Sequence, residues 1–198
     1  MRTKQVQKNG IISLTQIILF LSCSFFLLSS VYAAEISGVT FPEYFQDENV
    51  QMQLQGVGIK SFAFFKVCAA GFYREESNNK DILDDVPKHL EVSYFVRIPG
   101  TKLSKFTTKI MKHNVSASEF QQLQEKIKIM NNYFVDLKPG DRFALTYIPE
   151  TGCKFVFNGK LIGMIEGASF SRALFSVWIG SKPFDQRLKS KILGLHKK

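Results

Sequence analysis

The first half of the chain shows the alternation of apolar and polar positions that is typical of β-strands. A short strand is predicted around Ile36–Phe41, and the alternation along Val50–Lys60 predicts a second, bent or bulged at Gly56-Val57-Gly58. Ser61–Tyr73 is almost continuously apolar, which is typical of a buried central strand. Leu90–Ile98 alternates again. These patterns predict four strands in this half of the chain.

The middle of the chain changes to a helical period. Apolar residues recur at spacings of three and four, first along Leu103–Ile110 and then along Phe120–Phe134. Ser116 is placed to cap the second helix, and Glu119 would complete a capping box. A shorter capped helix is predicted at Asn78–Val86, immediately before a proline.

The last third returns to strands and ends in helices. Three apolar segments are separated by turn sequences: Phe143–Ile148, Cys153–Phe157 and Leu161–Ile165. Asn158-Gly159 is a strong hairpin signal, so these segments are expected to form an antiparallel meander. Two closing helices are predicted at Ser169–Trp178 and Phe184–Leu195. The order of elements has no βαβ alternation, which predicts an α+β fold with a mostly antiparallel sheet covered by helices on one face.

The first 33 residues have the layout of a secretory signal peptide. Three basic residues precede the apolar run Ile17–Leu28, namely Arg2, Lys4 and Lys8, and small residues lead up to a cleavage site after Ala33. An uncleaved anchor is the alternative, but the run is interrupted by serines and is short for a span of about 20 residues. We therefore expect a signal peptide at 1–33 and a periplasmic or secreted domain at 34–198, with no membrane span after cleavage.

Charge narrows the range of partners. The formal net charge of +9 falls to +6 (9 − 3) once the three basic residues of the signal peptide are removed. The basic residues are scattered and are not interleaved with aromatic residues as in nucleic-acid-binding proteins, so no nucleic acid is expected as a partner. Weak attraction to anionic membrane surfaces or acidic polymers remains open.

No cofactor or metal site is predicted. The chain contains no phosphate-binding loop, dinucleotide fingerprint or nucleophile elbow, and its histidines lack metal-ligand spacing. Two cysteines, Cys68 and Cys153, remain after removal of the signal peptide. In an oxidising compartment they could form one disulfide, or they could be two buried thiols, and the sequence leaves both interpretations open.

Phenylalanine is unusually abundant, with 16 of the 19 residues beyond the signal peptide. Ordinary core packing explains most such residues, and an open apolar cavity between sheet and helices is the alternative. Lys60 stands at the end of a predicted strand, where it could pair with a carboxylate or be a solvated surface charge.

Five blocks follow one another along most of the predicted mature chain: Gly56-Val57-Gly58-Ile59-Lys60; Val67-Cys68-Ala69-Ala70-Gly71-Phe72-Tyr73; Pro139-Gly140-Asp141 with Tyr147, Pro149 and Gly152; Asn158-Gly159-Lys160 with Gly163; and Phe175-Ser176-Val177-Trp178-Ile179-Gly180 with Pro183. Together they resemble the bacterial chalcone isomerase-like proteins. The resemblance implies the chalcone isomerase fold, an open-faced β-sandwich in which a large antiparallel sheet is covered by helices.

The resemblance also bears on activity. Plant chalcone isomerases cyclise a flavonoid precursor with an arginine that binds the phenolate, a threonine and a tyrosine that order a water, and a lysine and an asparagine. The arginine position falls on Lys60 and the threonine position on Cys68, while the others fall in Leu103–Ile110, whose apolar residues offer no equivalent chemistry. Lysine lacks the planar fork of arginine, and a thiol is a weak donor. The resemblance therefore implies that chalcone cyclisation is lost.

A non-catalytic branch of the same superfamily binds fatty acids, using an arginine and a tyrosine to hold the carboxylate. On this resemblance Lys60 would supply the charge, Tyr73 or Tyr94 the hydroxyl, and Cys68 would border the ligand. The leading hypothesis is an exported protein that binds a small hydrophobic or fatty-acid-like ligand. The alternatives are an isomerase or lyase that uses Lys60 on an unknown substrate, and an interaction module of the cell envelope.

Overall fold

The computed structural model describes residues 33–75 and 81–195, and these residues form two antiparallel sheets. The small sheet pairs β1 (Ala33–Ile36) with β2 (Val39–Pro42). The large sheet has seven strands: β3 (Tyr44–Asp47), β4 (Val50–Phe62), β5 (Phe65–Arg74), β6 (Lys88–Tyr94), β7 (Arg142–Ile148), β8 (Gly152–Phe157) and β9 (Lys160–Ile165). Strand order in the large sheet follows the chain, so every neighbour pair is antiparallel.

Helices in the described part of the chain fall into two groups. The first group lies between β6 and β7, and the second follows β9: α1 (Gly100–Asn114), α2 (Ala117–Gln122) and α3 (Gln124–Asn131), then α4 (Ala168–Ile179) and α5 (Gln186–Ile192). This is the predicted order of strands, helices, strands and helices, and the α+β class is confirmed. No described helix combines the length and hydropathy needed to cross a bilayer.

The large sheet is buried on its inner face by the helices. Phe72, Leu90 and Phe155 from the strands share one hydrophobic core with Phe170 and Leu174 of α4. Because side chains alternate between the two faces of a strand, the residues directly before and after each of these strand positions point to the outer face.

The N-terminal strands cover part of that outer face. Phe41 of β2 packs against Gly71, where any larger side chain would collide with its ring. The sheet is strongly curled, since Asp47 of β3 forms an ion pair with Lys154 of β8, five places along the strand order, at 2.9 Å.

The predicted central strand Ser61–Tyr73 is wrong in its first part. Residues 63 and 64 form a two-residue turn between β4 and β5, and they leave three phenylalanines in solvent: Phe62, Phe64 and Phe65 are 75%, 99% and 71% exposed. The turn contains none of the usual Gly or Asn, and Ala63 takes the positive φ of 51° instead. The continuous apolar run therefore contains a hairpin turn that its pattern does not indicate.

The other differences are smaller. Residues 81–86 of the predicted helix Asn78–Val86 form turns instead of a helix. In these turns Asp81 accepts a hydrogen bond from the Leu83 N–H at 2.8 Å. Residues 76–80 lie outside the described part of the chain. The helix capped by Ser116 is interrupted at Leu123, but the cap is confirmed by the hydrogen bond from the Glu119 N–H. The predicted bulge near Gly56 is also confirmed.

Cys68 and Cys153 are free and buried. They lie on β5 and β8, with two strands between them. At about 4.8 Å per strand this separation is far beyond the reach of a disulfide. The interpretation as two buried thiols is therefore the one that the structure supports, and the predicted signal peptide at 1–33 lies outside the described residues except for Ala33, the first residue of β1.

Candidate functional site

An apolar groove of about 450 Å³ opens at one end of the inner face, between the sheet and the helices. The ends of β4, β5 and β6 form one wall, and α1, α4 and the segment before α5 form the other. Its lining consists of Lys60, Phe62, Val67, Cys68, Tyr94, Ile98, Lys102, Leu103, Phe106, Thr107, Val177, Trp178 and Phe184.

Strand register places three of the polar side chains in one row. Lys60 of β4 is directly opposite Cys68 of β5, and Cys68 is directly opposite Tyr94 of β6. Residues opposite each other on neighbouring strands point to the same face. The row therefore runs across the sheet wall of the groove, from the partly exposed Lys60 to the buried Tyr94.

The helical wall is mainly aromatic. Phe184 contacts Phe106 of α1 and Trp178 of α4 edge to face, with ring centroids 5.6 and 4.7 Å apart. Lys102 and Thr107 add polar groups from α1, and Lys102 forms no ion pair with any other described residue. The groove thus combines an apolar wall with a few polar groups, which is typical of small-molecule sites.

Lys60 is held by the carboxylate of Asp185, the residue that follows the groove-lining Phe184. Its Nζ donates a hydrogen bond to Asp185 Oδ2 at 2.5 Å, and Asp185 also caps α5 by accepting from the Leu188 N–H at 2.7 Å. Burial raises the pKa of Asp185, but the hydrogen bonds from Lys60 and Leu188 and the lysine charge outweigh it and lower the pKa. Asp185 is therefore ionised at neutral pH, and Lys60 is a paired cation.

Cys68 and Tyr94 are held in their neutral forms. Burial raises the pKa of Cys68 to about 12, against a lowering by its hydrogen bond to the Lys60 backbone and by the Lys60 charge. Burial also raises the pKa of Tyr94, and Cys68 adds to that shift. Neither group supplies a base or an anionic nucleophile at neutral pH, so both can act only as weak or neutral hydrogen-bonding groups.

A larger depression of about 740 Å³ lies on the outer face of the sheet. Its charged lining residues are already paired: Arg142 with Glu91 at 2.6 Å, and Lys154 with Asp47 at 2.9 Å. A ligand there would have to displace these partners. The smaller apolar groove is the better candidate site.

A family model described as chalcone isomerase-like matches residues 33–194. The chain belongs to the chalcone isomerase-like family. Among solved structures, it is similar to the Arabidopsis thaliana fatty-acid binding protein AtFAP1, with 16% identity, a TM-score of 0.67, and coverage of 83% of this chain and 97% of that chain. No curated protein matches. At this identity the likeness shows the fold, and the predicted chalcone isomerase fold is confirmed.

In this chalcone isomerase-like chain, three of the four residues named from the sequence line the groove: Lys60, Cys68 and Tyr94. Tyr73 does not. It lies on the outer face, where its ring packs against Phe45 and His89 with centroids 6.1 and 5.3 Å away. Tyr73 is five residues after Cys68 on the same strand, and an odd separation puts it on the opposite face. Of the two tyrosines that the sequence left open for the hydroxyl, Tyr94 lines the groove and Tyr73 does not.

Other groove residues were not identified from the sequence. Thr107 and Lys102 flank the apolar positions of α1, and their positions in the helical period could have placed them beside Leu103. Asp185 gave no such signal, because it lies 125 residues from Lys60 and its cap position says nothing about what it faces. No group of metal-ligating residues occurs within the described ranges.

Proposed function

We propose that this chalcone isomerase-like protein is exported and binds a fatty-acid-like ligand in the groove, without catalysing chalcone cyclisation. The observation that carries the proposal is the apolar groove with Lys60 at its end. Its volume of about 450 Å³ lies within the range of about 300–1,000 Å³ that is usual for small-molecule pockets. The name of the similar solved structure, a fatty-acid binding protein, supports this ligand class.

The polarity of the groove suggests how the ligand lies. Its carboxylate would lie near Lys60 and accept a hydrogen bond from the protonated Tyr94, while its acyl chain would lie against Phe106, Trp178 and Phe184. Each methylene removed from water contributes about 0.8 kcal/mol. The void next to the groove that Trp178 and Tyr94 also line measures only about 30 Å³, so we expect the acyl chain to lie along the groove.

Asp185 controls access to Lys60. The ion pair must open or be shared before a ligand carboxylate can contact the ammonium group. Asp185→Asn removes the competing charge and keeps a side chain that caps helices about as well as Asp. This substitution is therefore expected to strengthen carboxylate binding, whereas Lys60→Met is expected to weaken it.

Two residues of the same groove support the proposed loss of cyclisation. Lys60 replaces the forked arginine, and Cys68 offers a protonated thiol in place of a hydroxyl. Removal of a single oxyanion partner costs about 10²–10³ in rate. Chalcone should therefore close no faster with the protein than in buffer, as followed by its absorbance. An enzymatic rate that Lys60→Met abolishes would overturn the non-catalytic part of the proposal.

Ligand binding is tested by displacement of a fluorescent fatty acid from delipidated protein by palmitate. We expect saturable binding, weakened about tenfold by Lys60→Met and strengthened several-fold by Asp185→Asn. Lys160→Met, at an exposed lysine of β9, is the matched control and should leave binding unchanged. No binding by the unchanged protein, or equal losses in Lys60→Met and Lys160→Met, would contradict the proposed site.

Export is supported by the layout of residues 1–33 alone. The protein recovered from the periplasm or medium of an expressing bacterium should begin at Ala34, as measured by intact mass. Recovery of the uncleaved chain in the cytoplasm would contradict export and would leave the ligand proposal standing.

A further inference from the structure

The β4–β5 hairpin presents aromatic residues to solvent beside the groove. Phe62, Phe64 and Phe65 occupy the turn and the two positions next to it, and we call them the aromatic tip. Phe62 also lines the groove. Soluble proteins seldom leave several large apolar side chains together in water unless the surface has a partner.

Helix α1 presents a basic face next to the aromatic tip. Its lysines recur at spacings of three and four and are all exposed: Lys102, Lys105, Lys109 and Lys112, which we call the basic face. The helix contains no acidic residue. Lys102 and Phe106 line the groove together with Phe62, so the basic face and the aromatic tip meet at the groove.

We propose that the aromatic tip and the basic face together dock on an anionic lipid bilayer, with the phenylalanines entering the boundary between headgroups and acyl chains. Aromatic side chains favour this boundary, and lysines beside it are attracted to anionic headgroups.

The shape and charge of the surface favour lipid over a protein partner. Phe62 and Phe65 are opposite each other at the end of the hairpin, and Phe64 extends beyond them in the turn, fully exposed. An apolar tip of this kind fits a fluid apolar phase. The row of four lysines on α1 complements the diffuse negative charge of an anionic membrane.

Docking in this orientation places the groove against the lipid, because Phe62 and Lys102 belong both to the groove lining and to the docking region. A lipid-derived molecule could then pass between membrane and groove with little exposure to water. The docking itself does not rest on the proposed ligand, since it needs only the exposed residues. Its test therefore uses vesicles without free fatty acid.

The test is sedimentation with vesicles of phosphatidylglycerol and phosphatidylcholine, compared with vesicles of phosphatidylcholine alone. Phe64→Ser combined with Phe65→Ser should lower the partition coefficient at least tenfold, while Leu161→Ser, at an exposed apolar residue of β9, should not change it. Lys105→Glu combined with Lys109→Glu should weaken binding to the anionic vesicles several-fold, whereas Lys160→Glu should not. All variants keep the same N-terminal segment, so that its contribution cancels.

Several results would overturn the proposal. Absence of sedimentation with anionic vesicles is one, and equal binding by the tip variant and the Leu161→Ser control is another. Analytical ultracentrifugation supplies a third: if the protein self-associates and the tip variant abolishes this without changing vesicle binding, the aromatic tip contacts a second copy instead of lipid.

Discussion

Two rows of the same three residue types cross the inner face of the sheet at opposite ends, and the first row lines the apolar groove while the second is buried among the described residues. The first row, on β4, β5 and β6, consists of Lys60, Cys68 and Tyr94. The second row, on β6, β7 and β8, consists of Lys88, Tyr147 and Cys153. Strand β6 contributes to both rows at positions six residues apart, a distance of about 20 Å along a strand.

The two lysines have opposite surroundings. The Lys60 side chain is 28% exposed and pairs with a carboxylate, whereas Lys88 is 0% exposed. Lys88 Nζ donates to the Asp84 carbonyl at 2.6 Å and lies 4.8 Å from the ring centroid of Tyr147 and 5.7 Å from that of Phe175. Burial lowers the pKa of Lys88 to about 8, although nearby carboxylates oppose this shift.

The comparison teaches that residue type alone does not make a binding site here. Helix α4 reaches both ends: Phe175 covers Lys88, while Trp178, about one turn later, borders the groove near Lys60. The same three residue types therefore serve packing where helical side chains fill the space above the sheet. They are accessible to a ligand where the helices leave that space empty. The predictions below test this difference.

The largest expected difference is in stability. Lys88→Ala should lower the free energy of unfolding by about 3 kcal/mol, because it leaves a cavity and an unpaired carbonyl. Lys60→Ala should lower it by less than about 1 kcal/mol, because it breaks a partly exposed ion pair. Urea unfolding at pH 7 measures both. Equal effects of the two substitutions would mean that the ends of the sheet are packed alike.

The next difference is in pH dependence. The folded-state pKa of Lys88, about 8, lies below its ordinary value of 10.5, so between these values the unfolded chain binds more protons. The contribution of Lys88 to the free energy of unfolding therefore rises with pH across this range. The free energy of the unchanged protein minus that of Lys88→Met should rise between pH 7.5 and 10.

The subtraction in that experiment removes an opposing effect of the thiols. Folding raises the pKa of Cys68, so the thiol ionises at a lower pH in the unfolded chain than in the folded one. The free energy of unfolding of both proteins therefore falls above about pH 9, by the same amount. A difference that stays flat across the whole range would show that folding does not lower the pKa of Lys88.

A smaller difference is expected between the two thiols. Cys68 lines the groove and Cys153 is fully enclosed, although both have a raised pKa. Iodoacetamide should modify Cys68 about tenfold faster than Cys153, and both more slowly than a free thiol. Peptide mass spectrometry gives the two rates. Faster modification of Cys153 would place the opening at the other end of the sheet.

Much of the fold could be predicted from the sequence because strand alternation and helical spacing are local signals. The meander from β7 to β9 followed from Asn158-Gly159, and the start of α2 followed from Ser116. The β4–β5 hairpin was missed because the turn at Ala63 has no Gly or Asn, so that an exposed aromatic tip had the pattern of a buried strand.

The site was harder to predict from the sequence because it depends on strand register and on contacts between residues that are far apart in the chain. Lys60 and Cys68 were found through the resemblance, but only the strand pairing shows that Tyr94 joins their row and that Tyr73 does not. Asp185 comes from the far end of the chain, and no local pattern connects it with Lys60.

The central claim is that an acyl chain lies in the groove at the Lys60 end. Trp178 is the single tryptophan of the chain and lines this groove, so its fluorescence reports on occupancy. Titration with a fatty acid brominated along its chain should quench Trp178 to a saturating level, and Lys60→Met should move the midpoint to higher concentration. Saturable binding of the brominated ligand without quenching, or no binding at all, would contradict the claim.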